Sequence, residues 1–262
     1  MTKNHLFLIL SLMCFKSLIS QEAFGQQTLK NTPVTELSIK QLTTIIEHHP
    51  DDLQAHENFL HKMRVFINDS LITVQYNLWM NRFPKSAIVP FAIGKAFQDY
   101  HDVRAKNYLM RAVAINPEMS EAWEQLAYCA LITDDKLNGI EYMRKAVKYS
   151  PKNVDYSFKY ALLNKDGDPS KYDSLMLNVA YRFPNTDRAA EAIYYLASSA
   201  FNATEKTAYY EVLYKEYSKN QPPWSILGMK EYFDYLINTS PEKAFALALP
   251  GHLVQQHLTL AE

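Results

Sequence analysis

The chain has 262 residues, 48% of them hydrophobic, with 6 glycines and 12 prolines. That length and apolar share exclude a disordered chain and allow one large domain or a repeat array with a sizeable core. A net charge of −1 and a pI near 6.7 give no basic excess to neutralise phosphates, which excludes a general nucleic-acid binder.

Residues 1–25 read as a secretory signal peptide. Lys3 supplies a positive start, Leu6–Phe15 an apolar stretch too short to span a bilayer, and Ala23-Phe24-Gly25 a small-residue cleavage site before Gln26. Lys16 interrupts the apolar run, and Met13 stands before Cys14 where a lipid-attachment site needs a small residue. The expectation is an exported chain, periplasmic or secreted, with no transmembrane segment after cleavage. Cleavage leaves Cys129 as the single cysteine, so stability must come from core burial rather than an intramolecular disulfide.

Residues 26–50 read as a linker and a capping helix over about 36–48. From there prolines recur at Pro50, Pro84, Pro117, Pro151, Pro184 and Pro222, at intervals of 34, 33, 34, 33 and 38. Between them apolar residues recur at three and four, without strand alternation, so each interval predicts two helices. The interval 51–84 carries His56, Phe59 and Leu60 on its first helix. The next carries Pro90, Ile93, Gly94 and Phe97, then Ala105, Leu109 and Ala112. The third carries Trp123, Leu126 and Ala127, then Gly139, Met143 and Ala146. Residues 152–184 offer a weaker first helix with Ser157 and Ala161, then Asp168-Pro169 as a helix start. Residues 185–222 hold DRAAEAIYYLASSAF and a capping-box-like Asn202/Glu205 start. Helices at about 224–237 and 241–249, the second opened by Ser240-Pro241, and a last short helical stretch complete residues 223–262.

Trp123, Leu126, Ala127, Gly139, Ala146 and Pro151 resemble the tetratricopeptide repeat (TPR) pattern, W-x2-L-G-x2-Y followed by small residues and a closing Pro. Pro90 or His56 stands at the Trp site of the earlier units. The resemblance covers 51–222 and is sharpest over 85–151. It implies an all-α, right-handed superhelical solenoid of antiparallel helix hairpins, with 51–222 as the array and 223–262 capping it. Gly94, Ala105, Ala112 and Ala127 would let the helices of a hairpin approach, while Trp123, Leu126, Phe97 and Leu109 would fill the space to the next. The segments NRFPKSAIVPFAIGKAF and YRFPNTDRAAEAIYYLASSA are also similar to TPR regions of bacterial envelope proteins, some of which precede a thioredoxin-like domain.

No catalytic, cofactor or metal constellation emerges. His56-Glu57 and His61 are five residues apart, whereas a zinc-protease helix needs two histidines at four, and the expectation is a pair of solvent-facing residues. His48-His49 are expected to decorate a helix end. His252 and His257 stand near a terminus. Asp166-Gly167-Asp168 lacks the further ligands of a calcium loop and reads as a turn. Cys129 reads as a small buried hydrophobe, and there is no CxxC. Asn68, Asn202 and Asn238 form N-x-[ST] sequons.

The resemblance places a groove along the first helices. Its expected lining is Ile88, Phe91, Lys95 and Gln98, then Glu121, Glu124, Tyr128 and Leu131, then Asp155, Phe158, Leu162 and Lys165, then Arg188, Glu191, Tyr195 and Ser198. Phe91, Lys95, Glu124, Tyr128, Leu131, Glu191 and Tyr195 are the candidate partner-binding residues. Phe91 and Phe158 could equally serve packing between repeats. No Lys/Asn pair on successive turns forms a clamp for a peptide carboxylate. The expected function is a non-enzymatic protein-interaction scaffold of the cell envelope, binding a protein or peptide. Two alternatives stay open: a module associated with a thioredoxin-like redox partner, and a helical-repeat carbohydrate-binding protein.

Overall fold

The computed structural model describes residues 36–66, 69–165, 169–217 and 223–248. The signal peptide, Asn68, Asp166-Gly167-Asp168, Pro222, His252, His257 and the stretch from Pro250 lie outside them. The described residues fold as helices joined by turns, with no strand. They form two compact units, which divide between Tyr142 and Met143, inside one helix.

The first unit contains α1 (Ile39–His48), α2 (Leu53–Phe66), α3 (Asp69–Arg82), α4 (Ile88–Gln98), α5 (Ala105–Ile115), α6 (Ser120–Ile132) and the start of α7 (Lys136–Tyr149). Ser38 and Gln41 form a reciprocal capping box that starts α1, and Leu42 and Ile46 bury one face of it. The second unit contains the rest of α7, α8 (Val154–Leu163), α9 (Pro169–Arg182), α10 (Asp187–Ser199), α11 (Ala203–Val212), a π-helical turn (Leu213–Tyr217), α12 (Pro223–Thr239) and α13 (Pro241–Ala248). Asn153, Thr186 and Asn202 cap α8, α10 and α11 by accepting backbone N–H bonds from Tyr156, Ala189 and Glu205.

The proline period is a period of hydrogen bonds. The residue before each of the first five turn prolines closes the preceding helix by donating its N–H four residues back. His49 donates to Ile45 O (2.7 Å), Phe83 to Trp79 O (2.7 Å), Asn116 to Ala112 O (2.9 Å), Ser150 to Ala146 O (2.9 Å) and Phe183 to Val179 O (3.1 Å). Proline cannot continue a helix and biases the residue before it toward extended backbone, which ends each second helix at one register. The turns inside two hairpins also superimpose bond for bond. Asp102 N donates to Phe97 O and Asp135 N to Ala130 O, with His101 and Asp134 in the left-handed region at φ 56° and 57°. The next residue in each turn then offers its carboxylate to the backbone: Asp135 accepts from Asn138 N in the first turn of the second helix, and Asp102 accepts from Arg104 N just before the second helix begins.

Close approach within hairpins follows from small residues. A Cβ placed on Gly94 would stand 2.8 Å from Leu109 Cγ, and one on Gly139 3.2 Å from Leu131 Cδ2. Leu109 therefore fills the interior of its own hairpin, not the space to the next one as the repeat pattern suggested. In each unit, first helices pack on their own second helix and on the following first helix, the arrangement of a TPR-like array of antiparallel hairpins.

His56 departs from its expectation. It is fully buried, with Nε2 donating to Pro50 O at 3.0 Å and Nδ1 accepting from Tyr76 Oη at 2.9 Å. Its ring meets Trp79 edge-on at 5.7 Å. The reason lies in the register. Trp123, also six residues after a turn proline, donates Nε1–H to Pro117 O at 2.7 Å. His56 performs the same task in the first repeat: a ring N–H holds the turn carbonyl to its helix. Burial pushes the His56 imidazole below its ordinary value, outweighing the Pro50 bond and the charges of Asp52 and Asp51.

Candidate functional site

In the first unit the facing first helices α2 and α4 leave an open groove of about 420 Å³. From α2 come Glu57, Leu60, His61 and Arg64; from α4 come Ala92, Lys95 and Ala96, with Asp99 and Tyr100 just past its end. Both sets follow the i, i+3, i+4, i+7 spacing of one helix face. The short Ala92 and Ala96 side chains keep the helices' facing surfaces open, and the long polar residues line the walls.

The groove is charged and aromatic. Lys95 Nζ donates to Glu57 Oε1 at 2.7 Å, tying α4 to α2. Both side chains are more than a third exposed, so the pair is worth under about 1 kcal/mol and is open to exchange with a ligand's charges. The Arg64 guanidinium lies 3.9 Å from the centre of the Tyr100 ring, which is 70% exposed. Arg64 Nε is buried and has no hydrogen-bond partner. A buried donor without an acceptor is costly.

The candidate residues divide. Lys95 lines this groove. Glu124 and Tyr128 are half-buried on α6, where Tyr128 Oη donates to Glu124 Oε1 at 3.3 Å. Leu131 reaches toward Gly139 and fills its hairpin. Phe91 is buried and serves packing.

In the second unit Glu191 is buried and accepts from Arg188 Nη1, while Arg188 Nε donates to Asp155 Oδ1 at 2.6 Å. Glu191 thus orients Arg188 and presents little surface of its own. The Arg188 guanidinium lies 4.8 Å over Phe158, itself buried. Tyr195 is half-buried between Phe158, at 6.1 Å, and Trp224, at 5.8 Å. Trp224 and its neighbours come from α12, whose Glu231 accepts from Tyr194 Oη at 2.7 Å and Tyr210 Oη at 3.1 Å. These bonds seat α12 against α10 and α11. Cys129 is buried and its thiol is pushed up by loss of solvent.

The sequence reading missed Glu57, His61, Arg64 and Tyr100 as groove residues. The signal for two of them was present. Glu57 and His61 stand seven and eleven residues after Pro50, as Phe91 and Lys95 do after Pro84 and Glu124 and Tyr128 after Pro117. His56 and His61 also face different surroundings, core and groove, as five-residue spacing on a helix requires.

No family model matches the sequence, and no curated protein does. Solved structures do show likeness. PilF of Pseudomonas aeruginosa is 17% identical, with 75% of this chain and 86% of that chain covered and a TM-score of 0.49. MamA from Desulfovibrio magneticus RS-1 is 16% identical over 66% and 97%, with a TM-score of 0.46. YrrB, described as a TPR protein with an unusual peptide-binding site, is 16% identical over 82% and 100%, with a TM-score of 0.43. All three scores stay below 0.5; the TPR-like character of this chain rests on its own repeated turns and hairpins.

Proposed function

We propose that the chain is a non-enzymatic interaction scaffold of the cell envelope that binds a partner protein or peptide through the groove of its first helices. One observation carries this reading: the open groove between α2 and α4, where charges of both signs and an exposed tyrosine converge on one surface. About 420 Å³ is the size of a pocket for a few side chains. Mixed charge beside an aromatic ring suits a polypeptide, which offers carbonyls, charges and apolar groups together. The envelope location is supported by the Lys3, Leu6–Phe15 and Ala23–Gly25 pattern of residues 1–25.

The test is affinity capture from envelope extract with purified residues 26–262, read by mass spectrometry. A Lys95→Glu/Arg64→Ala variant, shown by circular dichroism to be folded, serves as the control. Enrichment of one protein by the wild type and its loss with the variant is the expected result. The same captured set from both proteins would remove the groove from the reading.

A further inference from the structure

Four buried rings join α2 to α3. His56 and Phe59 of α2 meet Tyr76 and Trp79 of α3, with ring centres between 4.9 and 6.2 Å apart. None of the four is more than 1% exposed. Contact of this kind is apolar, and a charge placed within it is costly unless it is paired. Of the four rings, only His56 can become a cation. Its place in the first repeat is the place of Trp123 in the third, where an indole N–H holds the turn carbonyl Pro117 O and cannot be protonated.

The hydrogen bonds around His56 fit only the neutral ring. Pro50 O can only accept, so Nε2 carries the proton and Nδ1 accepts from the Tyr76 hydroxyl. All three groups are then satisfied. A proton added at Nδ1 turns that atom into a donor, and Tyr76 Oη must accept from it. The Tyr76 proton is then left unpaired in the interior, since the ring is wholly buried and the hydroxyl has no other partner among the described residues. Burial holds the Tyr76 phenol well above its ordinary value, so it cannot relieve the clash by ionising. The charges that act on the imidazole are those of Asp52 and Asp51, in the turn before α2, and loss of solvent outweighs both. From α3 it meets Tyr76 and Trp79. From the turn before α4, Ser86 already gives its hydroxyl to Asp51 Oδ1 and Pro50 O.

We propose that the first hairpin, α2 with α3, is an acid-opened latch: protonation of the His56 ring parts α2 from α3 while the hairpins that follow in the same unit stay closed. Repeats contact only their neighbours, so an array opens repeat by repeat, and among the described residues only α1 precedes this hairpin. The closed form is fully favoured above the ordinary imidazole value of 6.5. As pH falls below it, the opening equilibrium rises by up to about tenfold per unit, until the lower value of the closed form is reached. Opening would dismantle the groove, because α2 supplies Glu57, His61 and Arg64. The latch needs no ligand, so its failure and the failure of the groove as a binding site are separate results.

The experiment is hydrogen–deuterium exchange of the full mature chain at pH 7.5, 6.0 and 5.0, read by mass spectrometry. Each rate is corrected for the intrinsic pH dependence of exchange. Peptides from residues 53–82 report the latch, and peptides from 88–132 report the hairpins after it. The expected result is an opening equilibrium in 53–82 that rises at least about fivefold from pH 7.5 to 5.0, with less than about a twofold change in 88–132. His56→Gln, which keeps a donor for Pro50 O and does not titrate, should abolish the rise. A second measurement covers the case in which that variant does not fold: the ring 15N shifts of wild-type His56 should show a proton on Nε2 alone at pH 7.5 and gain the second proton over the range in which 53–82 opens. No rise, an equal rise in both segments, a rise that persists in His56→Gln, or a His56 ring already doubly protonated at pH 7.5 would each overturn the latch.

Discussion

Trp123 tests the repeat register at the level of energy. Its side chain is 7% exposed, stacks on Tyr142 with ring centres 5.8 Å apart, and donates Nε1–H to Pro117 O at 2.7 Å. Trp123→Ala empties the space beside α7, and a buried Trp→Ala change costs about 3–5 kcal/mol. Trp123→Phe separates the two contributions. It keeps much of the apolar contact and removes the N–H, leaving the Pro117 carbonyl without its side-chain donor, at a cost of about 1–2 kcal/mol. Urea titration followed by far-UV circular dichroism reads both values from the shift in midpoint at constant slope. A loss below about 1 kcal/mol for Trp123→Ala, or a neutral Trp123→Phe, would refute the role given to the ring N–H in holding the turn.

Three further outcomes are expected. His56 is buried neutral, with a folded-state value below the ordinary 6.5, so the unfolded chain binds the extra proton. Stability is therefore complete above about pH 6.5 and falls as pH drops below it, by up to about 1.4 kcal/mol per pH unit; His56→Gln should flatten that dependence in urea titrations at pH 5–7.5, and an unchanged slope would contradict the buried neutral ring. Gly94→Ala places a Cβ 2.8 Å from Leu109 Cγ and should destabilise by about 1–3 kcal/mol, with a compensating gain when combined with Leu109→Ala; additive losses in that double-mutant cycle would mean the two do not meet. Arg188→Met leaves Glu191 buried without its cation and should cost about 1–3 kcal/mol, discounted because Arg188 is itself a third exposed. Adding Glu191→Leu should recover most of that loss, and a double variant as unstable as the single would show that Glu191 does not depend on Arg188.

The architecture was legible because the same few residues set it in every repeat. A proline placed just after a second helix ends it by covalent geometry, so the intervals between those prolines carry the repeat. Gly94 was legible for a related reason, since only the absence of a side chain admits Leu109 at that distance. The first repeat hid its conformity behind a change of residue. His56 and Trp123 share a ring N–H and a buried ring, but a histidine beside a glutamate reads as polar surface when judged by composition. The observation that would have decided it was position: six residues past Pro50 is where Trp123 stands past Pro117.

The candidate site was legible only by face. The positions seven and eleven residues past each turn proline do lie on first helices, yet the residues there divide between groove and core. Burial at these positions depends on the neighbouring helix, which a repeat pattern does not specify. Phe91 and Phe158 are covered because their large rings are the best filler between adjacent first helices. Lys95 stays in the groove because its charge has Glu57 to meet and water to reach. Glu191 is buried only because Arg188 supplies the cation that a covered carboxylate requires. A cavity of about 190 Å³ in the second unit escaped the sequence altogether, since its walls come from four segments between Lys165 and Tyr209 and no spacing unites them.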